Sequence, residues 1–169
     1  IRAYNVYIMI SLQELQEMWQ EDCKVDQLNL GQESTRIPEL HSKYLNHLTT
    51  LRLQCRKAQS ELLKHRRLKW KYYRGELDQK ELNDLGWDQY LGNAPLNNQM
   101  NDFLDTDDDV IKLTDKLEYL NTCLTFVESC MKAIGSRSFD IKNAVSECQC
   151  RIVLSIQQPF PTAIRLRAI

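Results

Sequence analysis

The residues with the clearest chemical potential form a short run of cations and aromatic rings at positions 64–74. Six of these eleven side chains are Lys or Arg, three are Trp or Tyr, and none is acidic. Cations neutralise backbone phosphates and flat rings stack on unpaired bases, each stacked base contributing about 1–3 kcal/mol. This composition predicts a site for single-stranded nucleic acid. The predicted contact residues are Lys64, Arg66, Arg67, Lys69, Trp70, Lys71, Tyr73 and Arg74.

A less specific interpretation of the same run is a solvated helix end, with Trp70 and Tyr73 tucked into a core. On a helix, Arg67, Lys71 and Arg74 would form one strip, with the two rings on the neighbouring strip. This interleaving of charge and aromatic surface favours the nucleic-acid site.

Signals of catalysis are weak. The chain lacks the Gly-x-x-x-x-Gly-Lys-Ser/Thr loop of ATP-hydrolysing enzymes. Asp105 and residues 107–109 invite comparison with a nuclease metal site, but acids directly before an apolar seam are typical of a helix N-terminus. Cys148 and Cys150 lack the paired spacing of structural zinc sites, and the six cysteines are expected to be reduced thiols. We therefore predict no catalytic residue, no metal and no cofactor.

The net charge of −1 conceals a strong separation of charge along the sequence. Residues 1–75 hold 13 basic and 8 acidic side chains, residues 76–109 hold one basic and 10 acidic, and residues 110–169 hold 8 basic and 5 acidic. A nearly neutral chain divided in this way can still present a polyanion-binding face. Five glycines are too few for the phosphate loops and turns of a doubly wound nucleotide-binding fold.

A short helix and a long one are predicted in the N-terminal half. Ser11 and Glu14 match a capping box that starts the short helix, and a polar loop is expected over 24–36. Pro38 is the predicted first residue of the long helix, which meets no further Gly or Pro until Gly75. Its apolar residues recur at heptad spacing, at Tyr44, Leu48, Leu51, Cys55, Ala58 and Leu62.

The C-terminal half is predicted to hold a second long helix behind an acidic linker, residues 76–106. Thr106 is the expected cap of this helix and Gly135 its expected end, with another short helix over 137–150. A second heptad seam lies between them and is predicted to hold subunits together. The predicted oligomerisation residues are Leu113, Leu117, Leu120, Leu124, Val127, Met131 and Ile134.

The predicted fold class is all-α, with two long helices that carry heptad seams and short terminal helices. The predicted parts are an N-terminal helical region (9–75), the acidic linker (76–106) and a C-terminal helical region (107–152). Residues 1–8 are interpreted as an upstream extension before Met9, and residues 153–169 as an unassigned tail. No apolar run approaches the roughly 18 residues that span a bilayer, so no membrane association is expected.

The order of these features resembles the UvsY family, the recombination mediators of large tailed bacteriophages. The basic helix closes in Tyr72-Tyr73-Arg74-Gly75, which is similar to the family's Tyr-Tyr-x-Gly, and an acidic linker follows. Further on, Ser136-Arg137-Ser138-Phe139-Asp140-Ile141-Lys142 is similar to the family's Ser-Arg-x-Phe-x-Ile-Lys signature. The resemblance spans roughly residues 9–152.

The resemblance implies a protein without enzymatic activity that acts in recombination, repair and recombination-dependent replication, in the cytoplasm of an infected bacterial host. It would help a RecA-like phage recombinase displace the phage single-strand-binding protein from single-stranded DNA. It would also assemble with itself into a ring-like homo-oligomer, a hexamer or heptamer. Two cations important for DNA binding in the family fall on Arg67 and Lys69.

Two other functions are compatible with the residues. A coiled-coil adaptor or structural protein without nucleic-acid binding needs only the heptad seams, and a small helical RNA-binding or transcription regulator would also use a basic helix. Salt-dependent binding to a labelled oligonucleotide separates the first from a nucleic-acid-binding protein. Competition among single-stranded DNA, duplex and RNA separates the second.

Overall fold

The computed structural model describes residues 10–156, with side chains described through residue 152. Every regular element in this part of the chain is an α-helix, which confirms the predicted all-α class. The elements are α1 (Leu12–Asp22), α2 (Leu30–Tyr73), α3 (Gln79–Leu85), α4 (Met100–Asp105) and α5 (Asp108–Ile156). The predicted extension, residues 1–8, lies outside the described residues, as does most of the predicted tail.

Helix α1 begins as the sequence predicts. The Ser11 hydroxyl accepts a hydrogen bond from the Glu14 amide at 3.2 Å, and the Glu14 carboxylate accepts one from the Ser11 amide at 2.7 Å. This reciprocal pair satisfies two amides that have no partner within the helix. Leu15, one residue further on, is fully buried in the core.

Helix α2 begins eight residues before the predicted start at Pro38, so Pro38 lies inside the helix and the loop prediction over 24–36 was too long. Asp26 accepts a hydrogen bond from the Leu28 amide at 2.9 Å, and this turn lets the helix start at Leu30. Ile37 packs against the core within the added turns. Tertiary packing therefore outweighs the hydrogen bond that Pro38 removes from the helix.

Helix α5 is continuous, so the predicted end at Gly135 and the separate helix over 137–150 were wrong. Gly75 has a φ of 67°, a left-handed conformation that stops α2 at the position predicted from the sequence. Gly135 has no positive φ. Ile134 and Ile141 are both buried on either side of Gly135. Because the apolar face continues across the glycine, the helix does too.

Helices α2 and α5 pack as an antiparallel pair. Glu33, near the start of α2, contacts Arg137 late in α5, whereas Glu61, late in α2, pairs with Lys116 early in α5. The two heptad seams face each other in this pair, together with α1. The buried core residues are Leu15, Leu40, Tyr44, Leu48, Leu51, Cys55, Ala58, Leu120, Cys123, Val127, Cys130 and Ile134.

This pairing changes the interpretation of the α5 seam. Leu120, Val127 and Ile134 are at most 2% exposed within the single chain, because α2 supplies the complementary seam. Leu117, Leu124 and Met131 are half-buried against the same core, and Leu113 is also half-buried. The deepest of the predicted oligomerisation residues thus have no surface left for a second subunit.

Arg137 fastens the α1–α2 loop to α5. Its guanidinium donates to the Asp22 and Lys24 carbonyls at 2.8 and 2.6 Å, and to the Glu33 carboxylate at 2.6 Å. The Arg137 side chain is 7% exposed, so these bonds lie in a region of low solvent access. Within the described residues, none of the helices has an apolar stretch long enough to cross a membrane.

Candidate nucleic-acid interface

The basic run occupies the last three turns of α2, beyond the part of the helix that forms the main core. Three of its cations, Lys64, Arg67 and Arg74, are exposed. The side chains of Arg66, Trp70, Lys71 and Tyr73 are half-buried, and Lys69 is buried. The run therefore has an outward side that faces solvent and an inward side that faces the rest of the chain.

The outward side is a row of four cations, Lys64, Arg67, Lys71 and Arg74, called here the basic strip. Their spacings of three, four and three residues place them on one face of the helix. Among the described residues, Lys64, Arg67 and Lys71 form no ion pair with the chain. The guanidinium of Arg74 lies 4.5 Å from the centre of the Trp70 ring, so charge and aromatic surface adjoin at one end of the strip.

Lys69 points inward and is held by two carboxylates. Its ammonium lies 3.0 Å from Asp107 and 2.8 Å from Asp109, and 4.4 Å from the centre of the Trp87 ring. Burial acts to lower the pKa of Lys69, but the hydrogen bonds to both carboxylates outweigh it and hold the pKa above its ordinary value. Lys69 therefore stays charged at neutral pH, with its charge compensated inside the chain.

Asp107 is the centre of this inward contact. It accepts a hydrogen bond from the Tyr73 hydroxyl at 2.7 Å in addition to the ion pair with Lys69. Burial acts to raise the pKa of Asp107, but the hydrogen bonds from Tyr73, Lys69 and the Val110 amide together outweigh it and keep the pKa below its usual value. Burial is also the main reason that the pKa of Tyr73 is raised, with the Asp107 hydrogen bond adding to it.

Asp107 also caps α5, so the predicted cap, Thr106, was one residue early. The Asp107 carboxylate accepts from the amides of Asp109 and Val110 at 3.0 and 3.2 Å. Thr106 instead donates its hydroxyl to the Asp102 carbonyl at 2.8 Å. A carboxylate satisfies the free amides at a helix start better than a threonine hydroxyl, because it also meets the positive end of the helix dipole.

Five aromatic rings form a cluster on the inward side. Tyr72 lies 5.2 Å from Trp87, and Tyr73 lies 5.2 Å from Tyr90 and 5.8 Å from Phe103, between ring centres. These steeply inclined contacts are worth about 0.5–1.5 kcal/mol each beyond the area they bury. Tyr73, predicted to contact DNA, thus has both its ring and its hydroxyl engaged within the chain.

The other side of this cluster is the acidic segment, defined here as residues 76–109. It contains two short helices, α3 and α4. Leu77, Leu82, Met100 and Leu104 are buried and anchor it. The sequence analysis did not predict that this segment folds back onto the basic run. The alternation of charge sign along the chain was a signal that could have indicated it.

One group of side chains has the composition of a metal site. The ligand atoms of His65, Asp107 and Asp109 lie within 4.8 Å of one another. The Lys69 ammonium bridges the two carboxylates, so the group already contains a cation of the chain itself. The arrangement is that of an internal ion-pair network.

Comparisons with known proteins agree with this fold. A family model described as recombination, repair and ssDNA binding protein UvsY matches residues 18–150. A curated relative, recombination protein uvsY of Enterobacteria phage T4, is 28% identical over 132 residues, covering 78% of this chain and 90% of the relative.

Crystal structures of the bacteriophage T4 recombination mediator protein UvsY share the architecture. The lattice type II structure aligns with a TM-score of 0.74 at 24% identity, covering 85% of this chain and 98% of that one. The lattice type I structure aligns with a TM-score of 0.71 at 25% identity, covering 82% and 98%.

Proposed function

The chain belongs to the UvsY family of recombination, repair and single-stranded-DNA-binding proteins of phages, and we propose that it binds single-stranded DNA through the basic strip on α2. In this role it loads a RecA-like phage recombinase onto DNA covered by the phage single-strand-binding protein. It acts without catalysis of its own, in the infected bacterial host.

The observation that carries the DNA site is the absence of ion pairs at Lys64, Arg67 and Lys71 among the described residues. A cation without an internal ion pair has no partner to lose when it binds a DNA phosphate, so its full charge is available for that contact. The strip extends about 15 Å along α2, at 1.5 Å per residue, with Trp70 beside it for a base to stack on. Of the two cations placed by the family resemblance, Arg67 is free for direct contact, whereas Lys69 is paired with Asp107 and Asp109 in this structure.

A single strip reaches few phosphates, so we infer that several copies act together in a ring-like homo-oligomer, a hexamer or heptamer. Linking the strips converts later contacts into intramolecular ones and raises avidity without any new kind of contact. The C-terminal part of α5, from Phe139 onward, is the surface proposed for the second copy. Phe139 is 64% exposed there and Val145 is 37% exposed, while the seam before them is used within the chain.

DNA wrapped over such a ring is held bent and splayed, a form that a competing single-strand binder holds less well. This is the proposed route by which the recombinase gains access to the DNA. The rival function, a coiled-coil adaptor, requires two heptad seams that are free to bind other proteins. Each seam has the other as its partner in this fold, which leaves the adaptor without its main support.

The test compares Arg67→Ala/Lys71→Ala with a control pair on the same helix, Arg56→Ala/Lys57→Ala. Both control residues are exposed and lie outside the basic strip. Binding of labelled oligo-dT is followed by fluorescence anisotropy over a series of salt concentrations. The strip variant is expected to bind at least tenfold more weakly, with a salt slope reduced by about 0.7 for each phosphate that is no longer neutralised. Equal affinity of the two variants would contradict the site.

Duplex DNA and RNA serve as competitors in the same assay. A preference for single-stranded over duplex DNA is expected, because only unpaired bases can stack on Trp70. Equal competition by RNA would instead favour a helical RNA-binding protein.

A further inference from the structure

The acidic segment divides the six cations of residues 64–74 into two sets. Three of them are paired with acids of the segment: Arg66 with Asp105 at 2.5 Å, Lys69 with Asp107 and Asp109, and Arg74 with Glu76 at 2.9 Å. The other three, Lys64, Arg67 and Lys71, form no ion pair among the described residues. Half of the positive charge that could meet DNA is thus neutralised by the chain itself.

The segment supplies the same kinds of contact that single-stranded DNA would supply. Its carboxylates accept charge-assisted hydrogen bonds, as phosphate oxygens do. Its rings, Trp87, Tyr90 and Phe103, lie against Tyr72 and Tyr73. These two tyrosines would otherwise be free to stack on bases.

The segment is held in a way that permits release. Helices α3 and α4 have seven and six residues, too short to be stable without their contacts. The Asp105 side chain is 61% exposed, so its ion pair with Arg66 is weakened by solvent and salt. Leu91, in the connection between the two helices, is 93% exposed.

We propose that the acidic segment is an intramolecular competitor of single-stranded DNA, an inference that rests on the proposed function. DNA is first held by the three unpaired cations and then displaces the carboxylates from Arg66, Lys69 and Arg74. Displacement frees these three cations for phosphates and exposes Tyr72 and Tyr73. Because the tethered competitor has a high local concentration, a ligand must offer both phosphates and unpaired bases to replace it. Duplex DNA, whose bases are already stacked, replaces it poorly.

The test removes two carboxylates of the segment that are exposed enough to spare the fold. Asp105→Asn/Asp109→Asn leaves Asp107 in place as the cap of α5. The control, Asp84→Asn/Asp88→Asn, changes the net charge equally in the same segment, at exposed acids that have no ion pair with residues 64–74 in the described part of the chain. Circular dichroism verifies that both variants are folded, and oligo-dT binding is measured by anisotropy against salt.

Asp105→Asn/Asp109→Asn is expected to bind oligo-dT about tenfold more tightly than the wild type, with a salt slope steeper by about 0.7 for each additional phosphate that is neutralised. The control is expected to change by less than about threefold. An equal gain in both variants would mean a general effect of net charge and would overturn the inference, as would no gain in either.

Hydrogen exchange reports the displacement directly in the wild-type protein. Amides of α4 are expected to exchange faster when the protein is saturated with oligo-dT, because the segment leaves the helix end. Unchanged or slower exchange would overturn the inference while leaving the proposed function intact, provided that Arg67→Ala/Lys71→Ala still weakens binding. A wild-type protein that does not bind oligo-dT would refute both.

Discussion

The ammonium of Lys69 lies 2.8 Å from the carboxylate of Asp109, which joins the last turns of α2 to the first turn of α5. This contact closes one end of the long antiparallel pair. Arg137 and Glu33, 2.6 Å apart, close the opposite end. The core helices are therefore tied by an ion pair at each end, with apolar seams between.

Lys69→Met is expected to lower the free energy of unfolding by about 1–3 kcal/mol, because it leaves the buried Asp107 carboxylate without its cation. Asp109 is half-exposed and regains water, so most of the effect comes from Asp107. Urea denaturation measures the change. Lys71→Met, two residues away on the basic strip, is the control and should shift stability by less than about 0.5 kcal/mol. Equal shifts would show that the Lys69 pair does not stabilise the fold.

Arg137→Ala is expected to cost about 3–5 kcal/mol, the usual effect of breaking a buried ion pair by removing one partner. It also removes the hydrogen bonds to the carbonyls of Asp22 and Lys24. Thermal and urea unfolding measure the destabilisation, with exposed Lys132→Ala on the same helix as the control. A destabilisation below about 1 kcal/mol would refute the anchoring role of Arg137.

Acid is expected to loosen the contact between the acidic segment and the basic run. The pKa values of Asp107 and Asp109 are held below the ordinary Asp value. A carboxyl group whose pKa is lower in the folded than in the unfolded state stabilises the folded state. This stabilisation is fully present above the pKa of the unfolded state, about 3.9, and is lost as the pH falls through the lower pKa of the folded state. Asp107→Asn keeps a cap for α5 but cannot titrate there. Its urea midpoint should therefore fall less than that of the wild type between about pH 6 and about pH 2. Parallel curves would contradict the assignment.

Two glycine substitutions are expected to have opposite signs. Gly135→Ala should stabilise the protein by about 0.5–1 kcal/mol, because Gly135 is helical and a Cβ there meets no atom within 4 Å. Gly75→Ala should destabilise it by about 1 kcal/mol, because the φ of Gly75 is 67°. Unfolding midpoints in urea measure both. A destabilising Gly135→Ala would mean that α5 bends or ends at that position.

Local patterns in the sequence predicted much of the fold. Ser11 and Glu14 start α1 through contacts three residues apart, and Gly75 ends α2 through its own backbone conformation. Such features depend on neighbours in the chain, which are directly visible in the sequence. Pro38 and Gly135 were misjudged for the converse reason. Each is a helix breaker by its local propensity, but packing of Ile37 in one case, and of Ile134 and Ile141 in the other, keeps the helix intact.

The candidate site, too, was predicted from the sequence only in part. The composition of residues 64–74 predicts a nucleic-acid-binding helix end, and the basic strip follows from helical spacing alone. The inward direction of Lys69 and Tyr73 does not follow, because it depends on Asp107, which is distant in the chain. The sequence also could not reveal which helix the α5 seam would meet, since a heptad pattern does not specify its partner.

The sequence by itself thus determined the helical class, the family, the separation of charge and the outward cations of α2. These properties are additive along the chain, so periodicity and composition report them. Only the tertiary structure decided that α2 and α5 satisfy each other's seams, and that the acidic segment covers half of the cations. Those outcomes depend on which surfaces, distant from one another in the chain, contact each other, and this is decided only when the chain folds.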